Sequence, residues 1–207
     1  MFTGIVTAIG TIQEVRQTGD LRIVIACPFD PETIAIGASI ACSGTCLTVV
    51  DKGGTRGECW FAVDISAESV ARTVPGRWEH GTRLNLEPAL KLGDELGGHI
   101  VTGHVDGVGS VAAIEPQGDS RRFTCAASAE LAPYLAPKGS ITIDGVSLTV
   151  NEVSDQADGT CHFGVNIIPH TADVTTLGKL SPGDGVNLEI DVLARYLQRM
   201  QSLRSIS

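Results

Sequence analysis

Basic residues are scarce in this chain. Only 15 Lys+Arg face 24 Asp+Glu over 207 residues, giving a formal charge of -9 and a sequence pI near 4.9. Such a surface repels DNA, RNA and anionic bilayers, so the expected partner is a small molecule or a protein, with neither nucleic acid nor membrane. No apolar run approaches membrane-spanning length, and no basic residue precedes Arg16, so neither a spanning helix nor a signal peptide is expected. The six cysteines include no C-x-x-C pair and are read as reduced thiols, which makes the cytoplasm the expected compartment. Equally missing are a G-x-x-x-x-G-K-[ST] loop, a G-x-G-x-x-G between a strand and a helix, and a G-x-S-x-G elbow. Nucleoside triphosphates, Rossmann cofactors and a hydrolase nucleophile lose their support together. His99 and His104 lie five apart, a spacing that suits neither one strand face nor the i, i+4 pair of a helical zinc site, so no metal is expected.

What is present is repetition. Thr3-Gly4-Ile5-Val6-Thr7-Ala8-Ile9-Gly10 returns at an offset of 99 as Thr102-Gly103-His104-Val105-Asp106-Gly107-Val108-Gly109. Ser39 to Val49 returns at 101 as Ser140 to Val150. Cys59, Phe61, Val63, Ile65 and Asn85-Leu86-Glu87 return at 102 as Cys161, Phe163, Val165, Ile167 and Asn187-Leu188-Glu189. Blocks repeated in one order mean a duplicated domain, placed at 1–98 and 99–191. Within each half, short β-rich runs such as Phe61-Ala62-Val63-Asp64-Ile65 are separated by Gly, Pro and Asp. They read as antiparallel strands, and closure into a six-stranded barrel removes their exposed edges. Ala67 to Thr73 and His170 to Thr176 lack that alternation and suggest a short helix or turn in each half. The tail, 192–207, stands apart. Val192, Leu193, Tyr196, Leu197, Met200 and Leu203 fall on one helical face with no counterpart in the first half, and that face packs either on another copy or on its own barrel.

Two matched barrels offer two similar half-sites, which can catalyse by holding two similar molecules in contact. The blocks Met1-Phe2-Thr3-Gly4-Ile5-Val6, Gly44-Thr45-Cys46-Leu47-Thr48-Val49, Gly97-Gly98-His99 through Asp106, and Asp144-Gly145-Val146-Ser147-Leu148-Thr149-Val150 together resemble the riboflavin synthase family of the α-chain type. The resemblance spans essentially the whole chain. It implies an all-β fold of two six-stranded Greek-key barrels in tandem followed by a C-terminal α-helix that holds a homotrimer, with active sites between subunits. It also implies a reaction: two molecules of 6,7-dimethyl-8-ribityllumazine exchange a four-carbon unit to give riboflavin and 5-amino-6-ribitylaminouracil, with no cofactor.

Carried over by motif, the resemblance assigns first-half substrate contacts to Gly4, Ile5, Val6, Ser39, Cys46, Leu47, Thr48, Asp64, Ile65, Ser66, Ala67, Glu68 and Ser69. The second-half contacts are Gly103, His104, Val105, Lys138, Ser147, Leu148, Thr149, Ile168, Pro169, His170, Thr171, Ala172 and Asp173. His104, Ser147, Cys46 and Asp191 are expected beside the reacting rings, with His104 or a hydroxyl moving protons while Cys46 and Asp191 orient substrate or water. His170, Ala172 and Asp173 depart from the family, which more often has an acidic residue, Leu and Glu there. Antenna proteins similar to the family bind a lumazine or flavin without turning it over, and generally lose several of these polar residues in one half. Here Ser39, Cys46, His104, Lys138, Ser147, Thr149 and Asp191 are all present. The expected function is therefore the synthase.

Overall fold

The computed structural model describes residues 1–204, so the last three residues of the expected tail, 205–207, lie outside the described residues. In the first half, β1 (Ala8–Thr18), β2 (Asp20–Cys27), β3 (Ser39–Cys42), β4 (Thr45–Thr55), β5 (Glu58–Ile65) and β6 (Arg83–Pro88) close a barrel in the order β1-β2-β5-β4-β3-β6. Helix α1 (Ala67–Arg72) lies between β5 and β6. Alternation explains the core: Ile23, Ile25, Phe61, Val63, Leu84 and Leu86 point inward and are fully buried. The second half repeats this with β7 (Gly107–Gln117), β8 (Ser120–Ala127), β9 (Ser140–Ile143), β10 (Val146–Thr149), β11 (Glu152–Asp155), β12 (Cys161–Ile167), α2 (Pro169–Val174) and β13 (Gly185–Ile190). Its seven strands run β10-β9-β13-β7-β8-β12-β11 and bury Phe123, Ile141, Phe163, Val165, Val186 and Leu188.

The seventh strand has a simple origin. β10 and β11 are the two pieces of the strand that is continuous as β4, split at Val150-Asn151, so the two ends of the sheet are joined by one unbroken stretch of chain. The split falls where β4 carries a bulge between Val49 and Asp51. Val150 N–H still bonds Gly139 O at 2.9 Å, as Val49 N–H bonds Ala38 O at 2.9 Å. Both halves thus turn the same corner, one with a bulge and one with a break.

The halves meet through their two-residue hairpins. Ser43-Gly44 and Asp144-Gly145 have φ of 44°, 84°, 45° and 81°, the all-positive pattern of a type I′ turn. A Cβ on Gly44 would stand 3.0 Å from Gly145 N, so the tips touch. The repeated asparagines lock them: Asn85 Nδ2 donates to Asp144 O and Asn187 Nδ2 to Ser43 O, at 2.8 and 2.9 Å. Their Oδ1 atoms accept Thr176 N–H and Val74 N–H from the opposite halves. Each buried amide thus has a partner at both its nitrogen and its oxygen, and the two together fix how the halves pair.

One contact breaks the symmetry. Arg77 Nη2 holds both carboxylate oxygens of the fully buried Asp144, at 2.8 and 3.1 Å, whereas Ser43 stands at the matching place in the first half. Burial pushes the Asp144 carboxyl up, against the pull of Arg77 and of the Asn187 N–H. Arg77→Met strands a buried carboxyl and is expected to cost about 3 kcal/mol in urea unfolding. Adding Asp144→Asn should recover most of that loss. A double variant as unstable as the single would contradict this account of the contact.

Candidate active site

The repeated glutamates build the site. Glu87 accepts Thr3 N–H (2.7 Å), Thr3 Oγ1–H (2.8 Å) and Gly4 N–H (2.9 Å). Glu189 accepts Thr102 N–H (2.6 Å), Thr102 Oγ1–H (2.6 Å), Gly103 N–H (2.9 Å) and His104 N–H (3.2 Å). Burial raises both carboxyls, and the donated hydrogen bonds oppose that rise. Each carboxylate fastens one Thr-Gly segment to the last strand of its own barrel.

From there the segments cross. Gly103 O accepts Cys46 N–H at 2.7 Å and Gly4 O accepts Ser147 N–H at 2.8 Å, so each Thr-Gly segment lies along the hairpin strand of the other half. Phe2 and Val101 bond each other in both directions between the two segments. By sequence, Gly4, Ile5 and Val6 belong to the same half as Cys46, and Gly103, His104 and Val105 to the same half as Ser147. Within one chain the structure places them crosswise, and Val6 packs on the second barrel's core.

A cleft of about 550 Å³ results, lined by Thr45, Cys46, Glu68, Ser69, Arg72 and Thr73 of the first half and Gly103, His104, Val105 and Asp106 of the second. That volume lies within the range of small-molecule sites. Ser66 caps α1 by accepting Ser69 N–H, which presents Glu68 and Ser69 to the cleft. Ser39 and Thr48 are a cross-strand pair on the same face of the β3-β4 hairpin as Ala41 and Cys46. Leu47 and Ile65 are buried in the core and support the wall from behind. Asp64 lies beside Arg22 at 3.4 Å, and Ala67 begins α1.

In the second half, Ser147 pairs with Thr142 and Thr149 with Ser140 across the β9-β10 hairpin. Leu148 packs on the core from between Ser147 and Thr149. Ile168, Pro169, His170, Thr171, Ala172 and Asp173 form and precede α2, the counterpart of the α1 wall, with Ile168 about half exposed. Lys138 has φ of 68°, a region that costs a side chain strain, where the first half has Gly37 at 85°. Both N–H groups make the same bond, to Val150 O and Val49 O. The lysine is exposed, and it keeps the backbone conformation that glycine has in the first half. Asp191 Oδ1 accepts Leu193 N–H, opening helix α3 (Val192–Arg204), and its charge also acts on His99.

His99 is absent from the site residues that the resemblance assigns. In the structure its Nδ1 lies 2.7 Å from Ser147 Oγ and its Nε2 3.2 Å from Thr142 Oγ1. Burial lowers its basicity, against the pull of Asp191, which leaves a neutral ring able to take the Ser147 proton. His104 stands apart from Ser147, in the cleft beside Cys46. Because His99 binds a proton less readily folded than unfolded, its stability contribution is complete above the ordinary value of 6.5 and falls away as pH drops below it. Turnover is expected to fall over that same acid range. His99→Asn should slow the reaction and flatten both acid profiles, and profiles unchanged by the substitution would exclude the assignment.

Two matched barrel-like sheets in one chain, with a ligand-sized cleft walled by both halves, define a tandem-barrel protein. The family model described as the lumazine binding domain matches residues 3–89 and again 102–191. The chain is 48% identical to riboflavin synthase of Brucella abortus (strain 2308), over 97% of this chain and 98% of that one. It is 42% identical to riboflavin synthase of Mycobacterium bovis (strain ATCC BAA-935 / AF2122/97), over 97% and 98%. Among solved structures, LumP complexed with 6,7-dimethyl-8-(1'-D-ribityl) lumazine matches at a TM-score of 0.75 and 26% identity, over 92% of this chain and 99% of that chain. LumP complexed with riboflavin matches at 0.74 and 28%, with the same coverage. The chain belongs to the riboflavin synthase family.

Proposed function

We propose that this protein is a riboflavin synthase that dismutates two molecules of 6,7-dimethyl-8-ribityllumazine into riboflavin and 5-amino-6-ribitylaminouracil. The observation that carries the reading is near full-length similarity to riboflavin synthases, in a chain that keeps polar walls in both halves. Two identical substrates supply every atom of both products, so the exchange balances with no external oxidant or reductant. The site's task is to hold two rings face to face and move protons between them.

One lumazine lies against the Cys46 and Thr48 hairpin and α1, the other against the Ser147 and Thr149 hairpin and α2, with the two supplied by neighbouring copies. His104 and the Ser147–His99 pair handle protons of the ring methyl and of the added nucleophile. Lys138, Asp191 and the hydroxyls bind the ribityl chains and the pyrimidine edge. Helix α3 supports a homotrimer: Leu193, Tyr196, Leu197, Met200 and Leu203 are each at least half exposed, an apolar face that its own barrel leaves uncovered. The cytoplasm fits the six free thiols.

LumP's structural likeness favours a second reading, a chromophore binder without turnover. Incubating chelator-treated protein with the lumazine as sole substrate separates the two. The synthase makes riboflavin continuously, and tight binding with no riboflavin would overturn this proposal in favour of the binder.

A further inference from the structure

Asp106 sits two residues beyond His104, on the same wall of the cleft. Its N–H donates to Leu188 O at 2.8 Å and its Oδ2 accepts Ile190 N–H at 2.9 Å, which fastens it to β13. Its carboxylate also takes a two-pronged ion pair from the C-terminal helix: Arg195 Nη1 to Oδ1 at 2.6 Å and Nη2 to Oδ2 at 2.9 Å. The carboxylate is largely shielded, with 13% of its side-chain surface exposed. A planar fork of this kind fixes orientation as well as distance.

The duplication supplies an internal control. At the matching place in the first half stands Thr7, whose N–H makes the equivalent bond to Leu86 O at 2.9 Å. That half has neither a carboxylate there nor a helix after its last strand. The ion pair therefore occurs where the tail occurs, and it is not needed to close a barrel. Arg195 sits on the first turns of α3, its N–H on Asp191 O at 3.2 Å, so a shift of the helix carries the guanidinium with it.

We propose that the Arg195–Asp106 pair is a positioning device that makes the geometry of the His104 wall depend on where helix α3 is held. Resting on the synthase reading, this means that seating α3 against another copy also sets the His104 ring against Cys46 in the cleft. Arg195 touches no substrate and acts through Asp106.

The test uses the full-length protein and two readouts. Arg195→Met keeps the aliphatic stem and removes the fork. It is expected to lower kcat about tenfold with KM changed less than about twofold, at a trimer content unchanged in ultracentrifugation. Arg195→Lys should restore part of the loss, and Asp106→Asn combined with Arg195→Met should be no worse than either alone. The second readout needs no turnover. Cys46 is the one partly exposed thiol of the six, and its N–H is bonded to Gly103 O on the same wall. Loosening that wall should raise iodoacetamide labelling of Cys46 severalfold while the buried thiols stay protected. Unchanged labelling in Arg195→Met and in the double variant, or a loss of kcat fully explained by trimer dissociation, overturns the proposal. A protein that never makes riboflavin but shows the labelling change refutes the synthase reading and leaves the coupling intact.

Discussion

Deleting residues 193–207 is expected to leave a folded monomer that makes riboflavin at least about a hundredfold more slowly. The barrels do not depend on that helix for their cores: buried Phe61, Phe123, Phe163, Leu84 and Leu188 all belong to strands, and β6 and β13 end before α3 begins. The helix instead presents Leu193, Tyr196, Leu197, Met200 and Leu203, from 51% to 68% exposed. With the site proposed between subunits, a half-site that lacks the helix has no neighbour to face, and catalysis by juxtaposition is expected to fail even where each lumazine still binds. Sedimentation and an activity assay on the same sample check this. Fully active monomers would remove the intersubunit site from the account, and a truncated chain that still assembles would remove the role given to the helix.

The second large effect concerns the crossing segments. A Cβ on Gly4 would stand 2.5 Å from Ser147 Cβ and 2.7 Å from Ser147 N. On Gly103 it would stand 2.6 Å from Cys46 Cβ and 3.0 Å from Cys46 N. Both glycines have φ of 77°, so alanine adds backbone strain to a clash with backbone that cannot rotate away. Gly4→Ala and Gly103→Ala are each expected to cost about 3 to 5 kcal/mol and to abolish turnover by displacing the Ser147 or the Cys46 wall. Urea midpoints and activity should fall together. Losses below about 1 kcal/mol would mean that the segments do not pack as described.

Much of this was written in the sequence, because a duplicated chain checks itself. Alternation at Phe61, Val63 and Ile65, repeated at Phe163, Val165 and Ile167, is a local signal, and local signals gave the strands, the short helices and the tail. The Ser-Gly and Asp-Gly hairpins carry their turn type in two residues. Asn85-Leu86-Glu87 and its copy were visible as a repeat, yet their work was not. A polar residue standing beside a buried leucine in both copies was the available signal for a buried role, and the structure turns it into the interlocked asparagines and the glutamate clasps.

Other features depend on contacts between distant positions. The partners of His99, Thr142 and Ser147, lie more than forty residues along the chain, and no spacing rule reaches that far. The crosswise bonds of Gly4 to Ser147 and Gly103 to Cys46 likewise follow from how the two barrels dock. Splitting of one strand at Val150-Asn151 is hidden because the repeat of Ser39 to Val49 as Ser140 to Val150 runs right up to the break.

Product stoichiometry tests the central claim most directly. With 6,7-dimethyl-8-ribityllumazine as sole substrate, riboflavin measured by absorbance and the pyrimidine by chromatography should appear in equal amounts, one of each for every two substrate molecules consumed. Riboflavin without the pyrimidine, or bound lumazine recovered unchanged, would contradict the account of two facing half-sites that exchange a four-carbon unit.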